Sequence, residues 1–234
     1  MSLSFTPHPI LQTPTPEQIV ALSKTTEGAN ALIEWHKKHE SAVKAAEEDP
    51  VYSGFPLDQQ KLVENTLYKP EIDEVWVLGG NRSGKSFSAA RMVMQALLEN
   101  PGTEITCWAQ NEDASIERQQ PYLWEMLPAK YKTKMKDETS KITWSKASGF
   151  TAKKFILPNG SVCYFKYYSQ FQNDDTMIEG ATFGALESDC KYVNIGTWCD
   201  EYLGDDTLLG RLRSRCGDYN AKILLTFTPM RGYT

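Results

Sequence analysis

The sequence predicts an α/β fold in which a mostly parallel β-sheet is covered by helices on both faces. Short apolar stretches of strand length alternate with helical stretches from residue 74 onwards, which is typical of such a sheet. The chain has 234 residues, of which 41% are hydrophobic and 24% charged, so it can build a sizeable core. This composition excludes a fibrous or wholly disordered chain, and no apolar stretch reaches the roughly 20 residues that a membrane span needs.

The first 50 residues are predicted to be an arm followed by a helical appendage. Residues 1–14 are polar and contain three prolines. A helix is expected to begin at Thr15, because Gln18 stands at the reciprocal position of a capping box. A second, longer helix is predicted over Glu27–Glu48 and is expected to end at Pro50. We therefore expect an appendage over residues 1–50 and a second domain over residues 51–234.

The elements of the second domain follow in order along the chain. Strands are predicted at Val75–Leu78, Ile105–Ala109, Phe155–Leu157, Val162–Phe165, Tyr192–Trp198 and Ile223–Phe227. Helices are predicted at Gly84–Leu98 and Asp113–Leu127, the second interrupted at Pro121. Because Asn159-Gly160 favours a tight turn, the third and fourth strands are expected to form a β-hairpin.

A phosphate-binding loop is the strongest chemical signal. The pattern G-x-x-x-x-G-K-[ST] is matched by Gly79, Gly80, Asn81, Arg82, Ser83, Gly84, Lys85 and Ser86. It directly follows a predicted strand and opens a predicted helix, as this motif requires. Such a loop surrounds phosphate oxygens with backbone N–H groups, while Lys85 reaches the β and γ phosphates and Ser86 ligates Mg²⁺.

Two later stretches supply the groups that ATP hydrolysis needs. Asp200 and Glu201 follow a predicted strand, and ligands bind at the carboxyl ends of strands in open α/β sheets. We expect Asp200 to hold Mg²⁺ and Glu201 to polarise the attacking water. Thr226 and Thr228 alternate at the end of the last strand, where they could reach the water or the γ phosphate and couple hydrolysis to movement.

A glutamine ahead of the P-loop is a candidate for binding adenine. Its amide could pair with the adenine edge through one donor and one acceptor. Gln59 is the preferred residue, although the sequence does not separate it from Gln60.

These motifs together resemble the large terminase subunit of tailed phages. The resemblance covers roughly three quarters of the chain, in the order glutamine, P-loop, hairpin, Gly180-Ala181, acidic pair, Arg211-Leu212 and Thr226–Pro229 with Gly232. It implies a P-loop NTPase fold of the ASCE type, and an ATP- and Mg²⁺-dependent motor that moves double-stranded DNA into a procapsid. It also implies a homo-oligomeric ring, a portal protein and a small terminase subunit as partners, and the cytoplasm of an infected bacterial host.

The sequence departs from this family where many members carry an arginine finger. Here that position, before Gly180, is Glu179. The cation that stabilises charge on the transferring phosphoryl group must then come from elsewhere. Arg82 could act within its own subunit. Residues after the acidic pair could reach a neighbouring subunit, and the candidates are Arg211, Arg213 and Arg215. Residues 181–191 have no assigned role.

Large terminases normally continue into a nuclease domain with an acidic, metal-binding cluster. This sequence stops at Thr234, six residues after Thr228. We therefore expect this chain to hydrolyse ATP without cutting DNA.

Charge is distributed unevenly along the chain. The net charge is −5, yet residues 129–166 hold nine lysines against Asp137 and Glu138. Four lysines alternate and could contact DNA phosphates if the segment were extended: Lys130, Lys132, Lys134 and Lys136.

Two other functions fit the same motifs. A helicase-like, nucleic-acid-dependent ATPase also combines a P-loop, an acidic pair and a threonine-bearing strand. A nucleotide-gated assembly switch would need ATP binding but not turnover.

Overall fold

The computed structural model describes residues 14–53, 58–133, 141–186, 190–201 and 205–229. The chain divides into two compact units, residues 1–55 with 128–130 and residues 56–127 with 131–234. The first contains α1 (Pro16–Leu22), α2 (Thr26–Glu48) and α3 (Pro50–Ser53). The capping box at Thr15 is confirmed, because Gln18 N–H donates to Thr15 Oγ1 at 3.3 Å and Thr15 N–H donates to Gln18 Oε1 at 2.9 Å.

In the described part of the second unit there are eight strands. They are β1 (Glu74–Leu78), β2 (Glu104–Ala109), β3 (Trp144–Ser145), β4 (Gly149–Phe150), β5 (Lys154–Ile156), β6 (Val162–Tyr167), β7 (Ile195–Asp200) and β8 (Lys222–Phe227). Six of them form one sheet in the order β1-β8-β7-β2-β6-β5, in which only β5 runs antiparallel to its neighbour. The small β3–β4 pair is separate. The predicted mostly parallel α/β sheet is confirmed.

Helices connect these strands and cover the sheet. They are α4 (Asp58–Leu67), α5 (Lys85–Glu99), α6 (Glu112–Ala114), α7 (Gln120–Met126), α8 (Tyr168–Phe171) and α9 (Asp206–Gly217), with a π-helical turn at Ser115–Gln119 between α6 and α7. Short 3₁₀ turns lie at Ala129–Tyr131, Thr151–Lys153 and Asp175–Ile178. Helices α5 and α9 both pack against β7 and β8. Every residue of β7 is buried, so the centre of the sheet is covered on both faces.

Several predicted boundaries differ from the structure, and two of the differences have a clear physical cause. Strand β7 begins at Ile195 rather than Tyr192, because the Tyr192 N–H donates to Asn100 Oδ1 at 2.9 Å instead of joining the ladder. It also continues to Asp200. Pro121 does not interrupt its helix, since it lies in the first turn of α7, where a missing N–H is tolerated. The irregular stretch is the π-helical turn before it.

The predicted hairpin is confirmed. Strands β5 and β6 pair antiparallel, with Phe155 opposite Cys163. Gly160 takes the positive φ of 85° in the turn, where its N–H donates to Leu157 O at 3.0 Å.

The sheet packs around two buried tryptophans. Trp108 on β2 stacks on Tyr168 of α8, with ring centroids 6.2 Å apart, and Trp198 on β7 is fully buried. Across the described ranges, no helix combines the length and the apolar character that crossing a bilayer requires.

Candidate active site

The P-loop joins β1 to α5 with the geometry of an anion-binding turn. Gly84 has a φ of +81°, a conformation that glycine adopts without strain, and Ser88 N–H donates to Gly84 O at 2.9 Å. A Cβ added at Gly79 would collide with the Ser83 side chain. The first backbone N–H groups of α5 therefore lie beside the loop with no side-chain cap.

The acidic pair and the threonine strand meet the P-loop because their strands are neighbours. Strand β8 lies between β1 and β7, and all three run in the same direction. Their carboxyl ends therefore open on the same edge of the sheet. Within this ladder, Asp200 stands directly opposite Thr226.

One oxygen of Asp200 accepts two hydroxyl hydrogen bonds. Ser86 Oγ donates to Asp200 Oδ1 at 2.9 Å and Thr226 Oγ1 donates to the same atom at 2.6 Å. The residue is only 5% exposed. Burial raises the pKa of Asp200, and the two hydroxyls offset part of that rise. This arrangement is a small cluster of oxygen atoms next to the loop, the ligand type that Mg²⁺ prefers.

Glu201 is held by the P-loop lysine and by Thr228. Its carboxylate lies 2.9 Å from Lys85 Nζ, and it accepts hydrogen bonds from Thr228 N–H and Thr228 Oγ1, each at 3.0 Å. Lys85 Nζ also donates to Thr228 Oγ1 at 2.7 Å. Burial raises the pKa of Glu201, but Lys85 and Thr228 outweigh it and the net shift is downward. The side chain is therefore a carboxylate at neutral pH.

The backbone at Glu201 is strained. Its φ of +47° lies in the left-handed region, which costs a residue with a side chain about 1 kcal/mol or more. The preceding peptide is anchored, because the buried hydroxyl of Tyr168 donates to Asp200 O at 3.1 Å. Trp198 Nε1 in turn donates to Thr226 Oγ1 at 3.0 Å. These contacts fix where the two carboxylates point.

Two clefts meet at the P-loop. A cleft of about 740 Å³ is lined by the loop, Asp200 and Glu201, and by residues of the π-helical turn and α7 opposite them. A second cleft of about 310 Å³ lies on the β1 side of the loop. Both volumes are in the range of small-molecule sites, about 300 to 1,000 Å³.

Both glutamine candidates line the smaller cleft. Gln59 is exposed, whereas Gln60 is buried and its side-chain nitrogen would lie 3.5 Å from a Cβ at Gly84. The structure therefore places Gln60 closer to the loop than the preferred Gln59.

The four arginine candidates lie in different surroundings. Arg82 is exposed in the P-loop, at a φ of +63°, and lines the larger cleft. Arg211 pairs with Asp175 and lies over the Phe171 ring, 5.9 Å from its centroid. Arg213 pairs with Glu74, at the amino end of β1 and away from the loop. Arg215 lies in the last turn of α9.

The lysine segment is only partly described. Lys134 and Lys136 lie outside the described residues. Lys130 is exposed in a 3₁₀ turn, so the extended alternation expected for the four lysines is not present at its start. Lys132 Nζ donates to Glu125 O at 3.2 Å and lies over the Trp124 ring, and burial lowers its pKa.

Comparison with known proteins identifies the stretch that carries the P-loop. Residues 76–189 match the family model of the terminase large subunit, T4likevirus-type, N-terminal domain. This stretch is therefore similar to the N-terminal domain of terminase large subunits. The match covers the P-loop and both walls of the larger cleft before β7, while Asp200, Glu201 and Thr226 lie beyond its end.

Solved terminase structures share the fold. The ATPase domain of the large terminase of Thermus phage P74-26 is similar with a TM-score of 0.51 at 15% identity, covering 77% of this chain and 68% of that chain. A point mutant of the same terminase domain gives the same score and identity, covering 79% and 69%. No curated protein sequence matches the chain.

Two residues that support this site were not predicted from the sequence. Tyr168 and Trp198 belong to no motif, and nothing local distinguishes them from other aromatic residues. Their contribution to the site can be inferred only once it is known which strands are neighbours in the sheet. The π-helical turn opposite the P-loop was missed for the same reason.

Proposed function

We propose that this chain is the ATP-hydrolysing motor domain of a viral large terminase, which powers the movement of double-stranded DNA into a procapsid. One observation carries the proposal: Lys85, Ser86, the acidic pair and both threonines form a single contact network at the carboxyl ends of β1, β7 and β8. Phosphate binding, metal binding, water activation and coupling would then occur in adjoining positions.

The residues present suit ATP with Mg²⁺. The positive φ at Gly84 and the space at Gly79 make a cradle for phosphate oxygens. Ser86 and Asp200 would hold Mg²⁺, whose charge offsets that of the phosphates. Gln59 or Gln60 would bind adenine in the smaller cleft. With these two clefts, the nucleotide would be oriented with its base on the β1 side and its terminal phosphate near β7.

Lys85 and Glu201 depend on each other. Nζ of Lys85 is engaged by Glu201 and Thr228, so phosphate oxygens must compete with that carboxylate for it. Once Lys85 turns to phosphate, Glu201 loses one of the partners that lower its pKa and is freer to accept a proton from water. Nucleotide binding would in this way prepare the base.

Thr226 and Thr228 would couple this chemistry to movement. Each donates a hydrogen bond to one member of the acidic pair, so β8 is linked to both carboxylates. We further propose that double-stranded DNA, a portal protein and a small terminase subunit are partners, within a homo-oligomeric ring in the infected host. Lys130, Lys132, Lys134 and Lys136 would contact DNA phosphates. Candidates for a finger are Arg82 within its own subunit and Arg211, Arg213 or Arg215 toward a neighbouring one. Residues 1–50 would form an appendage to the motor.

Glu201→Gln tests the proposal. The amide keeps the size of the side chain but cannot act as a base, so Mg·ATP should still bind while its hydrolysis falls by about 100-fold or more. Lys85→Ala should abolish Mg·ATP binding. Binding can be followed by titration calorimetry and turnover by phosphate release.

Glu112→Gln is the matched control, since it removes an exposed carboxylate that pairs with Lys153. It should keep wild-type turnover. An unchanged rate in Glu201→Gln would contradict the assigned base. Strand separation by the wild-type chain would indicate a helicase. DNA packaging that survives Glu201→Gln would indicate an assembly switch rather than a motor.

A further inference from the structure

The wall of the larger cleft that faces the P-loop carries an arginine with no assigned role. Arg118 lies in the π-helical turn and lines the same cleft as Lys85, Asp200 and Glu201. Its side chain is exposed, and within the described ranges no ion pair or hydrogen bond of its guanidinium is found. A free planar fork of donors that opens on a phosphate-binding cleft is suited to bind phosphate oxygens.

The turn that carries Arg118 is held in place by buried hydrogen bonds. Gln119 is fully buried and its Nε2 donates to Trp108 O at 3.0 Å, which ties the turn to β2. Ser115, also fully buried, donates to Gln119 Oε1 at 3.2 Å and accepts from Gln120 Nε2 at 3.1 Å. Buried polar groups at both ends of a short turn fix its backbone, and π-helical turns often occur at functional sites.

The same network reaches the β3–β4 pair. Phe150 N–H donates to Gln120 Oε1 at 2.9 Å, and a Cβ at Gly149 would collide with that oxygen. Helix α7 also packs on α5, the helix that follows the P-loop, through the edge-to-face pair of Phe87 and Tyr122. The wall that carries Arg118 is therefore braced against the helix on which the phosphates would lie.

The order of the strands indicates which phosphate Arg118 would meet. The P-loop follows β1, the acidic pair ends β7, and the π-helical turn follows β2, which is next to β7 on the side away from β1. The cleft suited to the base lies on the β1 side. Arg118 is thus at the far end of the path that a triphosphate would take.

We propose that Arg118 binds the γ phosphate of Mg·ATP within its own subunit and stabilises the charge that builds on it during transfer. The inference rests on the proposed function. It supplies a cation from inside the same chain, where the position of the usual finger holds Glu179. The guanidinium would contact only the terminal phosphate.

The test compares Arg118→Ala and Arg118→Lys with the wild-type chain. Binding of Mg·ATP and of Mg·ADP is measured by titration, and hydrolysis by phosphate release. For Arg118→Ala we expect Mg·ATP to bind at least about tenfold more weakly, Mg·ADP to change less than about twofold, and turnover to fall about 100-fold or more. Arg118→Lys keeps the charge without the planar set of donors. Its affinity for Mg·ATP and its turnover should lie between those of the wild-type chain and Arg118→Ala.

Lys153→Ala is the control, because it removes an exposed positive charge from the same unit outside the cleft. It should leave both affinities and the rate unchanged. Since Arg118 is exposed, its variants should keep the wild-type melting temperature. Equal losses for Mg·ATP and Mg·ADP, or unchanged turnover in Arg118→Ala, would overturn the inference.

Mixing subunits tests whether Arg118 acts within its own chain. Arg118→Ala is combined with Lys85→Ala, which retains an intact Arg118 but cannot use its own P-loop. No recovery of turnover is expected. Recovery would show that Arg118 reaches a neighbouring subunit and would overturn the assignment. If the wild-type chain itself bound no Mg·ATP, the proposed function would fail, and this inference with it.

Discussion

Each end of the sheet has a carboxylate with charged or hydrogen-bonding partners, but the two carboxylates differ in how deeply they are buried. At the carboxyl end, Asp200 is 5% exposed and receives two hydroxyl hydrogen bonds. At the amino end, Glu74 pairs with Arg213 at 2.7 Å, with the arginine side chain 55% exposed. Burial raises the pKa of Asp200, whereas hydrogen bonds from Arg213 lower the pKa of Glu74.

This comparison indicates that burial determines whether a carboxylate is retained for chemistry or contributes to stability. A buried carboxylate is disfavoured in its charged form and is retained where chemistry needs it. An exposed ion pair adds a little stability and loses it when the carboxylate is protonated. The two ends should therefore respond in opposite ways to substitution.

The largest expected effect is on turnover, at the buried end. Asp200→Asn keeps an oxygen that can accept from Ser86 and Thr226 but removes the negative charge. If Asp200 holds Mg²⁺ as proposed, hydrolysis of Mg·ATP should fall at least about 100-fold, because the neutral amide would bind the metal less well. The melting temperature should not fall, since a disfavoured buried charge has been removed. A large loss of stability would contradict this view of Asp200.

An intermediate effect is expected at Thr226. Thr226→Val keeps the shape but leaves Trp198 Nε1 without its acceptor and Asp200 without one donor. An unsatisfied buried group costs about 1 to 3 kcal/mol, so the melting temperature should fall by roughly 2 to 12 °C. Thr226→Ser keeps the hydroxyl and should lose much less. Equal losses in the two variants would show that the methyl group, not the hydroxyl, matters.

The smallest effect is expected at the exposed end. Arg213→Ala should lower the free energy of unfolding by about 0.2 to 1 kcal/mol at neutral pH. Because the folded-state pKa of Glu74 is lowered, this contribution is present above the ordinary glutamate pKa of 4.5 and disappears as the pH falls through the folded value. Denaturation from pH 7 down to the lowest pH at which the chain stays folded, with Glu74→Gln as partner in a double-mutant cycle, measures it. A coupling that does not weaken as the pH falls would rule out the ion pair as its cause.

The sequence predicted the parts of this protein whose chemistry is local. The P-loop, the capping box at Thr15 and the turn at Gly160 depend on residues a few positions apart, and each is present. The order of the strands depends on long-range packing, so it could not be derived from periodicity. The same holds for the start of β7, which Asn100 sets from a distant loop.

The acidic pair and the threonines were predicted as groups, but their partners were not. That Thr226 binds Asp200 and Thr228 binds Glu201 follows only from β8 being the neighbour of β7. Arg118 gave no signal at all, because an exposed arginine within a helical pattern is typical of a solvated surface. Its position became informative only once β2 was found beside β7.

Strand β8 is held by side-chain hydrogen bonds at both of its ends. Its six residues span about 20 Å, and the first five are buried. At its carboxyl end Thr226 donates to Asp200, and Thr228 just beyond the strand donates to Glu201. At its amino end Lys222 Nζ donates to the carbonyls of Lys69 and Ile72. Because close-packed interiors barely compress, a small displacement of Thr226 would be passed along the strand with little loss. A displacement of Thr226 would therefore reach Lys222, at the opposite end of the strand.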